Sequence, residues 1–89
     1  MTMRIDKFLK VSRLIKRREL AKDLCDAGDV MVNGRQAKPS TEVNEGDKLS
    51  ISIGRHRIEG TVLSVRAFAS KEQATGMFRI EDDKVIGKE

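Results

Sequence analysis

The sequence has no tryptophan and no tyrosine, and only one cysteine, one proline and one histidine. Three phenylalanines, Phe8, Phe68 and Phe78, are the whole aromatic content, so a core in 89 residues has to be assembled mainly from Leu, Ile and Val. Cys25 has no partner for a disulfide. With a single histidine it also offers no zinc ligand set, so no metal and no cofactor is expected, and the thiol reads as a small apolar filler on a helix face. No apolar run approaches the ~20 residues of a membrane span, and no signal-peptide apolar segment is visible. The expectation is a soluble, cytoplasmic monomer without membrane contact. His56 lies between Arg55 and Arg57 with no nucleophile at a recognisable spacing, which argues against an enzyme.

Charge is abundant and uneven. Formal net charge is +4, yet residues 4–22 hold eight cations, Arg4, Lys7, Lys10, Arg13, Lys16, Arg17, Arg18 and Lys22, against Asp6 and Glu19. That segment carries +6 and the remainder −2. A basic end of this kind is built to meet an anion. Three of the cations, Lys16, Arg17 and Arg18, are consecutive at the start of a helix, where the partial positive charge of the helix repels them unless an anion shares the place.

Apolar spacing gives the elements. Ile5, Phe8 and Leu9, with Ser12, fall on one helical face, and Leu20, Ala21, Leu24 and Cys25 on another, closed by Gly28. The two helices are joined through the segment VSRLIKR and pack at an angle. Val30 and Val32 then alternate with Met31, and Asn33-Gly34 is a two-residue hairpin signal leading into Arg35 to Lys38. Leu49, Ile51 and Ile53 alternate with polar residues as a strand. Gly54 to Arg57 reads as a polar hairpin loop, returning through a strand from Ile58 to Val65 with Thr61, Leu63 and Val65 on one face. From Ser70 onward nothing clearly demands a fixed structure. The reading is therefore a 1–69 domain with a C-terminal strand extension and a partly mobile 70–89 tail.

These pieces, in order, resemble the RNA-binding domain named after ribosomal small-subunit protein S-four. The matching residues are Arg4-Ile5-Asp6, Arg18-Glu19-Leu20-Ala21 with Leu24, Gly28-Asp29-Val30-Met31-Val32-Asn33-Gly34, and Gly46-Asp47, covering residues 4 to about 53. The resemblance implies an α+β fold, the small S-four-like (alpha-L) domain, with two packed N-terminal helices followed by a small antiparallel sheet. The short chain with RIDKFLKVSRLIKRR and AKPS is similar to the stand-alone group of ribosome-associated quality control protein P and the fifteen-kilodalton heat-shock protein. That likeness implies a non-catalytic factor binding obstructed large ribosomal subunits through their RNA and peptidyl-tRNA, and supporting C-terminal alanine tailing by a partner elongation protein. The alternatives are a heat-shock-type ribosome recycling factor and a general structured-RNA-binding protein. Many family members have Ser or Thr at the cap position held here by Arg17, so the second helix lacks the usual acceptor for its first amides.

The candidate RNA-binding residues are Arg4, Lys7, Lys10, Arg13, Lys16, Arg17, Arg18 and Lys38. Asp6 is read as structural, orienting a basic side chain or capping amides, while facing away from Arg4. Arg55, His56 and Arg57 make a weaker second patch. With two of the three phenylalanines buried and no other aromatic to stack bases, the expected target is the shape and phosphates of folded RNA.

Overall fold

A computed structural model describes residues 2–85. Helix α1 (Ile5–Val11) buries Ile5, Phe8 and Leu9, the i, i+3, i+4 set, together with Asp6. It is followed by a connecting loop in which Ile15 is buried. Helix α2 (Arg18–Asp26) buries Ala21 and Cys25, and Leu24 packs partly against the same core. Leu20, expected on that inner face, is instead 44% exposed. It stands one position before Ala21, and a helix this short has no second apolar surface to cover it. Gly28 ends the turn at φ +80°, with its N–H donating to the Cys25 carbonyl and that of Asp29 to the Leu24 carbonyl.

The two helices pack against each other and share one core with the sheet. Strands β2 (Val30–Val32), β3 (Arg35–Gln36), β5 (Lys48–Ile53), β6 (His56–Val62) and β7 (Phe78–Val85) form an antiparallel sheet in the order β3-β2-β5-β6-β7. Asn33 and Gly34 both take positive φ, as a tight hairpin of this hand requires. The Asn33 side chain also accepts from the Lys48 amide at 3.0 Å, tying the turn to β5. A second, two-stranded pairing joins β1 (Met3–Arg4) to β4 (Glu42–Val43). Strands this short carry no periodicity, and the sequence reading did not include them.

Two expectations about the second half change. The β5–β6 turn is only Gly54-Arg55, and His56 and Arg57 already pair with Ile53 and Ser52 in the ladder. The inward face of β6 consequently holds Gly60 and Val62, while Leu63 is 39% exposed beyond the strand end. The larger change lies beyond residue 70. Helix α3 (Lys71–Thr75) opens with a reciprocal capping box between Ser70 and Gln73, and β7 then pairs with β6 along its length. Met77 is fully buried, and the Phe78 ring meets Phe8 edge to face, with centroids 6.3 Å apart. Burying side chains of this size contributes roughly 1.5–3 kcal/mol each, which adds to the β6 ladder in docking a mostly polar strand. The tail expected to be partly mobile over 70–89 thus contains α3 and β7, and its residues 86–89 lie outside the described residues.

Candidate nucleic-acid interface

The N-terminus of α1 is closed by its own sequence neighbourhood and by the turn after β3. The Ile5 amide donates to the Thr41 carbonyl at 2.6 Å and the Asp6 amide to the Pro39 carbonyl at 3.4 Å, while Asp6 Oδ1 accepts from the Lys7 amide at 2.7 Å. The turn is itself held by the Lys38 amide donating to Thr41 Oγ1. Lys38, exposed, belongs to this turn, whose backbone meets the start of α1.

Asp6 does more than cap. Its carboxylate, 1% exposed, is 3.1 Å from Arg4 Nη2 through Oδ2 and 3.3 Å from Arg18 Nη2 through Oδ1. The expectation that Asp6 faces away from Arg4 is corrected here. Arg4 precedes the helix in extended backbone, so its side chain folds back over the first turn rather than following the helical spiral. One buried anion therefore orients two cations from the starts of two helices. Each arginine side chain remains about half exposed, 49% for Arg4 and 45% for Arg18, and each keeps guanidinium N–H groups beyond the one directed at Asp6. Paired planar donors held in this way suit a phosphate, which accepts several charge-assisted hydrogen bonds at once.

The remaining N-terminal cations form a track along the helical layer. Lys10 and Arg13 line a shallow depression with Phe68, Lys10, Arg13 and Lys16 line the next, and Lys16 and Arg17 line a third with Leu20 and the acidic Glu19 and Asp23. Arg13 reaches its place through a left-handed backbone, φ +65°, at the end of α1. Arg17 is the N-cap of α2 in extended conformation, and no side chain caps that helix, as the departure at this position implied. Lys7 is half-buried with its ammonium 5.7 Å from the Phe68 ring centroid.

In the second patch, Arg57 and His56 are engaged within the sheet. Arg57 is engaged with Glu59 at 3.1 Å and with Ser50 at 3.0 Å, and His56 faces Asp83 at 3.3 Å. Ser50 belongs to β5 and Asp83 to β7, partners that no local sequence pattern reveals. The sequence reading also missed Phe68, which is 87% exposed and so departs from the picture of a surface without aromatics. Its only signal was its setting in a segment, Arg66 to Ser70, with no apolar periodicity. Cys25 is buried as expected, and burial first, then the charges of Asp6 and Asp26, push its thiol from 9.0 up to about 11. Among the described residues no group of three or more His, Cys, Asp or Glu is placed to hold a metal ion, and no helix is long and apolar enough to cross a membrane.

The helix pair, the tight Asn-Gly hairpin and the strands that follow define a known class: the S4 domain pattern matches residues 3–49, and the chain belongs to that family. Along nearly its whole length it is similar to two proteins called RQC P-site tRNA stabilizing factor. It is 45% identical to that of Halalkalibacterium halodurans over 86 residues, 97% of this chain and 98% of the relative. It is 44% identical to that of Bacillus subtilis over 97% of this chain and 100% of the relative. Its fold is also similar to the trimeric structure of Vibrio cholerae Heat Shock Protein 15, with a TM-score of 0.82 and 27% identity over 90% of this chain and 82% of that one.

Proposed function

We propose that the protein is a non-catalytic RNA-binding factor of ribosome-associated quality control. It binds large ribosomal subunits obstructed by peptidyl-tRNA, contacting ribosomal RNA and tRNA, and supports C-terminal alanine tailing of the stalled chain by a partner elongation protein. The observation that carries this reading is the convergence of Arg4 and Arg18 on buried Asp6, at one end of a basic track that runs over both helices. The names of the relatives, similar over almost the full chain, support the tRNA and quality-control part of it. Arg4, Arg18 and Lys38 form the proposed phosphate clamp, and Lys7, Lys10, Arg13, Lys16 and Arg17 extend it. A small basic body that touches two RNAs at once raises the residence of a tRNA that would otherwise leave between elongation steps.

Two measurements test the proposal. Arg18→Gln is a cleaner probe than charge reversal, because a glutamate there would stand against buried Asp6. A folded Arg18→Gln protein should pellet with large subunits much less than wild type. In cells, deletion should shorten the tails on a stalled reporter, with wild type but neither Arg4→Ala nor Arg18→Ala restoring them. Tails of normal length in the deletion strain overturn the quality-control reading. A loss of free subunits with normal tails would instead favour the recycling function, which the likeness to Heat Shock Protein 15 keeps as the second reading.

A further inference from the structure

Phe68 is the most exposed of the large apolar residues among those described. Its exposure is not that of a loose end. Val65 on one side is buried, Ala69 on the other packs against the core, and the Ser70–Gln73 capping box fixes the chain directly after it. The segment is thus anchored at both ends and holds the ring outward. One side of that ring faces the Lys7 ammonium, 5.7 Å from the centroid, and an exposure of 87% leaves the opposite face open. The adjoining depression, about 180 Å³, is lined by Lys10, Val11, Arg13, Ala67, Phe68 and Ala69, none of them acidic. A flat apolar surface among cations fits a flat, apolar-faced group attached to anions, which is what a nucleotide is.

We propose that Phe68 is a stacking platform for a single unpaired RNA nucleobase, whose neighbouring phosphates are met by Lys7, Lys10 and Arg13. The inference rests on the RNA-binding reading above and deepens it. The Arg4–Asp6–Arg18 cluster reads phosphate alone and is indifferent to base pairing, whereas a stacking ring requires a base that has left its helix. The protein therefore prefers folded RNA with an extruded or unpaired nucleotide over an uninterrupted duplex.

The test uses a stem–loop closed by a stable tetraloop and carrying one unpaired adenine in its stem, the same stem fully paired, and the bulged stem with an abasic site at the adenine. Wild type should bind the bulged stem more tightly than the other two. Phe68→Ala should lose roughly 5- to 100-fold of its affinity for the bulged stem, the range that base–aromatic stacking carries, while its affinity for the paired stem stays within about twofold. On the abasic stem the substitution should change little. Phe68→Trp introduces the chain's only tryptophan. It should keep the preference, and its fluorescence should be quenched by the bulged stem but not by the abasic one. Equal losses on bulged and paired stems, or no loss on either, overturn the stacking role. Reduced binding to large subunits with unchanged binding to every stem assigns Phe68 to a protein contact and likewise overturns it. Failure of wild type to bind any of the three stems, with Arg18→Gln pelleting normally with large subunits, removes the RNA-binding reading itself and this inference with it.

Discussion

Asp6 and Arg18, twelve residues apart in the chain, meet at 3.3 Å across the junction of two helices. The carboxylate belongs to the interior and the guanidinium to the surface, so the pair transmits the rigidity of the core to an exposed cation. Arg4 completes the arrangement from the other side at 3.1 Å. Asp6→Asn should keep the acceptor for the Lys7 amide yet release both arginines. We expect a loss of roughly 1–2 kcal/mol in stability, held down by the half-exposure of both partners. We also expect weaker binding to large subunits in a variant that has lost a negative charge. Calorimetry and pelleting on the same preparation check this, and tighter binding by Asp6→Asn would mean that the carboxylate merely opposes an anion rather than ordering its ligands.

Much of this was legible in the sequence. The two helices, the Asn33-Gly34 hairpin and the β5 strand follow from apolar spacing and turn chemistry, which act within a few residues. The convergence of Arg4 and Arg18 was not legible. It depends on the crossing of α1 and α2 and on an extended Arg4, neither of which periodicity encodes. β7 was missed for a related reason: among Arg79 to Lys84 only Ile80 is apolar, and the strand is fixed by Phe78 reaching Phe8 seventy residues earlier. The Phe78–Phe8 contact and the ladder to β6 order it, and neither is local in the sequence.

Binding to structured RNA should weaken steeply with salt. Each neutralised phosphate adds roughly 0.7–0.9 to the log–log slope, so about four contacts give a slope near −3. Titrations between low and physiological salt measure it directly. A flat response would identify a protein surface as the principal docking site.

Cys25 predicts a specific pH dependence. Its thiol titrates at about 11 in the folded chain against 9.0 ordinarily, chiefly through burial. The folded state holds this proton longer, so the thiol's contribution is complete below pH 9 and is lost as pH rises through about 11. Cys25→Ala should cost on the order of 1 kcal/mol at neutral pH, from the lost packing. The difference between the two proteins should shrink and then change sign between pH 9 and 11 in denaturant titrations. RNA affinity should be the same for both at neutral pH.

Gly60 is where β6 and β7 shift register, and a Cβ there would stand 2.6 Å from the Phe78 ring, with the Arg79 carbonyl closer still. Gly60→Ala should destabilise by about 2–4 kcal/mol, because backbone cannot yield as a flexible side chain does. Thermal unfolding of Gly60→Ala checks this. A loss under 0.5 kcal/mol would show β7 to be only loosely attached.

A structure of the protein bound to a large ribosomal subunit carrying peptidyl-tRNA would show directly what Arg4 and Arg18 hold. RNA phosphate oxygens should lie within hydrogen-bond distance of both Arg4 and Arg18, with Asp6 still between the two guanidiniums. A complex in which the faces of α1 and α2 that bear these arginines are turned to solvent, and the sheet meets the RNA instead, would contradict this.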